Sequence, residues 1–303
     1  MFPAPQRIAS TVLARLPANL QNFRANWLGP DGRPLGSFFE GPVFDQSGRL
    51  YVTDVPNGRI LQVTDNNEIE IVMEYDGEPN GLKFHTDGRL FVADYRRGIL
   101  VIDLAKGSID TVVDRPFGER FKGVNDLFID GAGNIYFTDQ GASGLHDPTG
   151  RIFCFTAEGK LVHLLGGIPS PNGIAVSPDG RALYIAVTRS NAIWRTLLTP
   201  TGIEKVGIFI QLSGSLGGPD GIAFDVAGNI SVAHNGLGVV WIFNRLGEPI
   251  FRVDSAAGLL TTNIAWGGKE GRTLYITESE TGSILAAEVP AVDVNGSTRP
   301  AVD

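Results

Sequence analysis

Short apolar runs alternate with polar turns along most of the chain, and the same cadence keeps returning. After Glu40 the stretch "VFDQSGRLYVTD" has an apolar run, a glycine-bearing turn "DQSG" and a second run "LYVTD". That spacing predicts a strand, a tight turn and a second strand. A third run follows in most copies ("RILQV", "GILVI", "AIWRTLL", "SILAAEV"), and further strand-like stretches ("EIEIVM", "IDTVV", "KLVHLL", "PIFRV") complete them. The copies open at Glu40, Asn80, Asn125, Asn172, Asp220 and Thr262, in steps of 40, 45, 47, 48 and 42 residues. A four-stranded unit of this length is the blade of a β-propeller.

The expected fold class is therefore all-β: a six-bladed β-propeller with four antiparallel strands per blade. The sixth copy is one strand short, and a strand near "STVLARL" in the N-terminal segment is expected to complete it and latch the ring. Closure removes sheet edges that would otherwise be open to pairing. The chain reads as a single propeller domain over 1–303, with 1–37 as lead-in and closing strand and 290–303 as a tail.

Composition narrows the function classes. With 39 Gly and 18 Pro, the chain favours turns over long helices. A net charge of −8 with no basic cluster argues against a nucleic-acid partner. The single cysteine, Cys154 in "GRIFCF", excludes an intrachain disulfide and a cysteine-based zinc site, and reads as a buried, inert thiol. The N-terminus lacks the apolar core of a secretory signal, and no apolar run reaches the roughly 20 residues that span a bilayer. The expectation is a cytoplasmic protein without a membrane partner.

The first strand of a propeller blade lines the central tunnel, so residues at one repeat position form a ring. Glu40, Asn80, Asn125, Asn172, Asp220 and Thr262 all carry a side-chain oxygen. Hard divalent cations take six to eight oxygen ligands, whereas zinc and copper sites call for His or Cys. The ring has the first chemistry: two carboxylates to balance a 2+ charge, and amide oxygens to add coordination. Turn propensity explains "PNG" and "PDG" one at a time, but not Glu40 or Thr262.

The second strands end at Asp54, Asp94, Asp139, Val187 with Thr188, His234 and Glu278, and these endings are also expected near the mouth of the pocket. Repeated Asp residues there either bond the loops between blades or serve the pocket. His234 breaks the series in "SVAHNGLG" and is the candidate proton shuttle. His146 lies in the longer "QGASGLHDPTG" loop, from which a reach over the site is one alternative, while His85 and His163 lie near turns at the surface. Phe38, Phe39, Phe121 and Trp266 flank ring positions, as candidate pocket walls or as core packing. No Gly-x-Ser-x-Gly elbow supports a covalent nucleophile.

The segments "EGPVFD", "VNDLFIDGAGNIYFTD", "SPNGIAVSPDGRALYIA", "GGPDGIAFDVAGNISVAH" and "TNIAWGG" together resemble the senescence-marker/gluconolactonase group of six-bladed propellers, which includes regucalcin and bacterial gluconolactonases. The resemblance runs from about Phe39 to Val289. It implies that Glu40, Asn172 and Asp220 bind a catalytic metal, with Asn125 completing the ligand set or contacting substrate. Paraoxonase and the squid-type organophosphate hydrolase, related propellers, use a similar Glu, Asn, Asn, Asp set. Sugar-lactone members carry an Arg two residues before the third-blade Asn. Here "GERFKGVNDL" places Arg120 five residues upstream and Lys122 three.

The functional expectation is a metal-dependent hydrolase that opens a lactone ring, using Ca²⁺ or another divalent ion such as Mg²⁺, Mn²⁺ or Zn²⁺. Its partner is a small-molecule lactone or ester. Glu40, Asn125, Asn172 and Asp220 are the metal residues; Asp220, Glu40 and His234 the catalytic ones; Asn80, Asn125, Arg120 and Thr262 the substrate contacts. Two rivals stand beside it: a phosphotriesterase or arylesterase on the same ring, and a non-enzymatic propeller that binds a ligand.

Overall fold

In the computed structural model, residues 2–23, 27–29 and 31–291 are described. Residues 292–303, most of the expected tail, lie outside them. Six antiparallel sheets follow one another around a ring. Their inner strands are Phe39–Phe44, Pro79–Phe84, Val124–Ile129, Pro171–Val176, Gly218–Phe224 and Thr261–Gly267, each neighbouring the next and the last returning to the first. Among the described residues no helix is long and apolar enough to cross a membrane.

The ring closes as the repeat pattern predicts. Thr11–Arg15 pairs antiparallel with Ser283–Glu288 and supplies the outer strand of blade 6. The strand before it, Gln6–Ala9, was not anticipated: it pairs parallel with Pro249–Asp254 and adds a fifth strand to blade 5. The N-terminal segment thus bridges the last two blades.

The hydrophobic core is divided into seams between blades. Tyr51 and Ile60 of blade 1 pack with Leu82, Leu90 and Leu100 of blade 2. Phe91 and Ile99 of blade 2 pack with Leu127, Phe137 and Phe153 of blade 3. At the closing seam, Ala14 and Leu16 of the N-terminal segment and Ile284 of blade 6 meet Phe39, Leu50 and Val52 of blade 1. Alternation along each strand sends apolar residues to both faces of a blade, because both faces meet a neighbour. Cys154 is buried in the seam between blades 3 and 4, as expected of an inert thiol.

One irregularity recurs in all six blades and prepares the site. Where the inner strand meets the second strand, the register breaks between Glu40 and Val43, Pro79 and Leu82, Val124 and Leu127, Pro171 and Ile174, Pro219 and Ile222, and Thr261 and Ile264. Such a break bends the strand and re-aims its side chains. Each spans or immediately follows a ring residue. The next residue is Gly41, Gly81, Gly173 or Gly221 in four blades. A Cβ at Gly173 would lie 2.4 Å from the Asp220 carbonyl oxygen, and one at Gly41 2.4 Å from that of Asn80. Only glycine lets the inner strands approach so closely.

Candidate functional site

The six breaks bring five of the six ring residues around one cavity at the tunnel mouth. Glu40, Asn80, Asn125, Asn172 and Asp220 line a space of about 460 Å³, together with Trp27, Phe38, Val55, Glu78, Tyr95, Gln140 and Gly141. All five ring residues are buried. Among the described residues, eight buried side-chain polar atoms have no hydrogen-bond partner, and four of them are Asn80 Oδ1, Asn125 Oδ1, Asn172 Oδ1 and Asp220 Oδ1. Leaving one such oxygen unsatisfied costs about 1–3 kcal/mol, so four gathered in one cavity amount to a demand for a shared partner.

On Asn125 and Asp220 the other polar atom of the side chain is already engaged, and Glu40 is held through Oε2. Asn125 Nδ2 donates to Gln140 Oε1 at 3.0 Å. Asn235 Nδ2 donates to Asp220 Oδ2 at 2.9 Å. Asn263 Nδ2 and the Gly41 amide donate to Glu40 Oε2 at 3.0 and 3.2 Å. The neighbouring Asn172 side chain draws the Asp220 carboxyl down in part. Burial pushes the carboxyls of Glu40 and Asp220 up from their ordinary values, and for Glu40 the neighbouring charge of Asp220 adds to the rise. Two carboxylates and three amide oxygens, with no histidine or cysteine, form a donor set that suits a hard divalent cation and would relieve both the unpaired oxygens and the repulsion.

Beneath the ring lies a floor that the repeat reading missed. In blades 3 and 6 the residue after the ring position is not glycine but Asp126 and Asn263. Both are buried. Asn263 bonds Glu40 and its side chain also draws down the Asp126 carboxyl, so the two blades meet under the candidate ligands. Burial raises the Asp126 carboxyl, against an opposing pull from Lys83.

Three expected residues stand elsewhere. Thr262 Oγ1 is turned into the closing seam, where it donates to the Phe39 carbonyl at 2.6 Å and lies 2.8 Å from Thr277 Oγ1. It does not line the cavity; blade 6 reaches the site through Asn263, which bonds Glu40. His234 is fully buried and held at both nitrogens. Trp241 Nε1 donates to its Nδ1 at 3.1 Å, which leaves the proton on Nε2 for Asn191 Oδ1, also at 3.1 Å. Burial lowers its pKa to about 4. His234 is a neutral clamp, and the proton-shuttle expectation is corrected. Arg120 lines a separate, smaller cavity with Arg96, Arg97, Thr111 and Asp114, because the loop carrying it turns away before the inner strand begins at Val124.

The endings of the second strands follow the same logic. Asp54 Oδ1 accepts from the Phe38 amide, Asp94 Oδ2 from Tyr75 and the Glu78 amide, and Asp139 Oδ1 from the Gly123 amide. These are loop anchors. The residues that serve the site are one step further on, Val55, Tyr95, Gln140 and Asn235, since successive side chains on a strand face opposite ways. Of the four candidate wall aromatics only Phe38 lines the cavity, tilted against Trp27 with ring centroids 4.9 Å apart. Phe39 and Trp266 pack into core seams, and Phe121 joins Phe137 and Phe153.

A family model for the SMP-30/gluconolactonase/LRE-like region matches residues 38–280, the span of the blades just described. The chain belongs to this family. It is 30% identical over 272 residues to a gluconolactonase of Zymomonas mobilis, spanning 79% of this chain and 76% of that enzyme. It is 29% identical over 279 residues to a diisopropyl-fluorophosphatase of Loligo vulgaris, spanning 82% and 88%. Among solved structures, a calcium-binding regucalcin from Agrobacterium tumefaciens has the same fold, with a TM-score of 0.74, 22% identity and coverage of 94% and 95% of the two chains.

Proposed function

We propose that this member of the family is a lactone hydrolase whose ring holds one divalent cation, calcium or a substitute such as Mg²⁺, Mn²⁺ or Zn²⁺. The observation that carries the reading is the set of four unpartnered oxygens, on Asn80, Asn125, Asn172 and Asp220, gathered beside Glu40 in one cavity. The gluconolactonase relative supports the substrate class, and the calcium-binding regucalcin supports the ion.

When bound, such a cation polarises a carbonyl oxygen and offsets the charge that grows there. Glu40, Asn125, Asn172 and Asp220 would hold it, with Asn80 facing the substrate side of the same ring. Gln140, Asn235 and Asn263 keep three of those side chains aimed, as outer-layer hydrogen bonds commonly do. Asp220 accepts a proton as a water oxygen bonds to the acyl carbon. The ring carbon–oxygen bond then breaks, and the departing oxygen takes that proton, releasing a hydroxy acid. Trp27, Phe38 and Val55 form an apolar wall that shelters the reacting group from bulk water.

A second reading has its own support. The squid fluorophosphatase relative is matched over 88% of its length, and a site that polarises C=O also polarises P=O. Hydrolysis assays on sugar, aliphatic and aromatic lactones and on a phosphotriester, using chelator-stripped protein refilled with each ion, separate the two. Lactone turnover that vanishes on stripping and returns with a divalent ion supports the first reading. Turnover of the phosphotriester alone replaces it with the second, and indifference to metal overturns both.

A further inference from the structure

Beside the ring cavity lies a second one of about 400 Å³, walled by Gln140, Gly141, Ser143, His146, Ser170 and Arg189 among others. Gln140 and Gly141 belong to both cavities, so the two adjoin across that pair. The wall is built, not a chance dent. Gln140 Nε2 donates to Ser170 Oγ at 2.9 Å, and the Ser170 amide donates to Ser143 Oγ at 3.1 Å. Ser170 is held at φ +65°, a conformation that costs a non-glycine residue about 1–3 kcal/mol and that functional loops retain. The same Gln140 orients Asn125 of the ring.

The guanidinium of Arg189 is the permanent charge in this cavity. Among the described residues no Asp or Glu lines it, in a chain whose net charge is −8. Arg189 makes no ion pair among the described residues, although its charge is felt at Asp220. His146 and Arg189 flank Gly144: a Cβ there would meet the imidazole at 3.1 Å and Arg189 Cγ at 4.0 Å. A guanidinium without a carboxylate partner, next to a hydrogen-bonding loop and one residue pair away from the reacting group, is equipped to take a planar anion.

We propose that this cavity is a subsite for an anionic substituent of the substrate, a carboxylate foremost, with Arg189 as its recognition residue. The preferred substrates are then lactones that carry an acid group, with the ester carbonyl in the ring cavity and the acid toward Arg189. This rests on the lactonase reading for the chemistry, but the subsite is testable without it.

The test compares 5-oxotetrahydrofuran-2-carboxylate with its N-methylamide, in wild-type, Arg189→Gln and Arg189→Lys proteins loaded with Ca²⁺. Any effect of Arg189 transmitted through Asp220 acts on both lactones alike, so the acid-to-amide ratio isolates the subsite. The wild type is expected to show a KM for the acid lower by about tenfold, the worth of one charge-assisted contact at a partly exposed site. Arg189→Gln should bring the ratio close to one, and Arg189→Lys should restore part of it. Equal KM values in the wild type, or a ratio unmoved by Arg189→Gln, would overturn the subsite and leave the lactonase reading standing. If neither compound is opened, calorimetric binding of the same pair decides: tighter binding of the acid that depends on Arg189 supports the subsite while the lactonase reading fails, and equal binding overturns both.

Discussion

Asn263 Nδ2 donates to Glu40 Oε2 at 3.0 Å across the seam where the last blade meets the first, so the aim of a candidate ligand is set from the neighbouring blade. Removing an outer-layer partner of this kind typically costs 10- to 100-fold in metal affinity. Asn263→Ala is predicted to weaken calcium binding by about that factor while the circular dichroism spectrum stays that of the wild type. Asn263→Asp should be worse, since it sets a third negative group against Glu40 and Asp126. Calcium titrations of the three proteins check the order.

Asp220→Asn should have opposite effects on stability with and without cation. The metal-free wild type buries Asp220 beside Glu40 and Asp126, and burial already pushes all three carboxyls up. Removing one charge relieves that strain, so the metal-free variant is predicted to melt at or above the wild-type temperature. Saturating calcium stabilises the wild type by about 2.7 kcal/mol at one hundred times Kd and should leave the variant nearly unmoved. Thermal melts with chelator and with calcium measure both arms, and turnover of a lactone should fall at least about a hundredfold.

The five ring oxygens were legible because a blade repeat superposes distant residues, and no local contact was needed to see them. Asp126 and Asn263 were not, because the pairs "PNG" and "PDG" elsewhere make the next position look like a turn glycine. The departure in blades 3 and 6 was the available signal. Gln140 and Asn235 were missed by a single step of strand alternation, which sends Asp139 and His234 into loop and core contacts instead. The extra parallel strand at Gln6–Ala9 has no signature of its own, since its partner lies some 245 residues later.

Gly221 faces Asn263 so closely that a Cβ would sit 2.1 Å from Asn263 Oδ1. Gly221→Ala is predicted to displace Asn263 and to lose calcium affinity as Asn263→Ala does, with a further stability loss of about 1–3 kcal/mol from overpacking. Gly131→Ala, where nothing lies within 4 Å, is the control and should change stability by less than about 0.5 kcal/mol. Denaturant titration and calcium binding of both variants make the comparison.

His234 makes stability fall on the acid side. Its folded pKa of about 4 lies below the unfolded value of 6.5, so the unfolded chain binds the proton first. The contribution is complete above pH 6.5 and is lost as pH falls toward 4, at up to about 1.4 kcal/mol per pH unit. In His234→Gln that part of the slope should disappear. Denaturant midpoints at pH 7, 6 and 5 provide the measurement.

Leu16 carries the closing seam, being 2% exposed and packed with Phe39 and Val52. Leu16→Ala is expected to cost about 2–4 kcal/mol, as for other buried leucines. Deleting residues 2–16 should cost more, since it uncovers the Ser283–Glu288 edge and removes a strand from two blades. Chemical denaturation, with light scattering for the deletion, tests both.

The most direct test of the central claim is a calorimetric titration of chelator-stripped protein with Ca²⁺, run beside Glu40→Gln and Asn172→Ala. Saturable calcium binding at the ring is predicted for the wild type, weakened at least about tenfold in each variant. Absence of binding in the wild type, or affinity unchanged by either substitution, would contradict it.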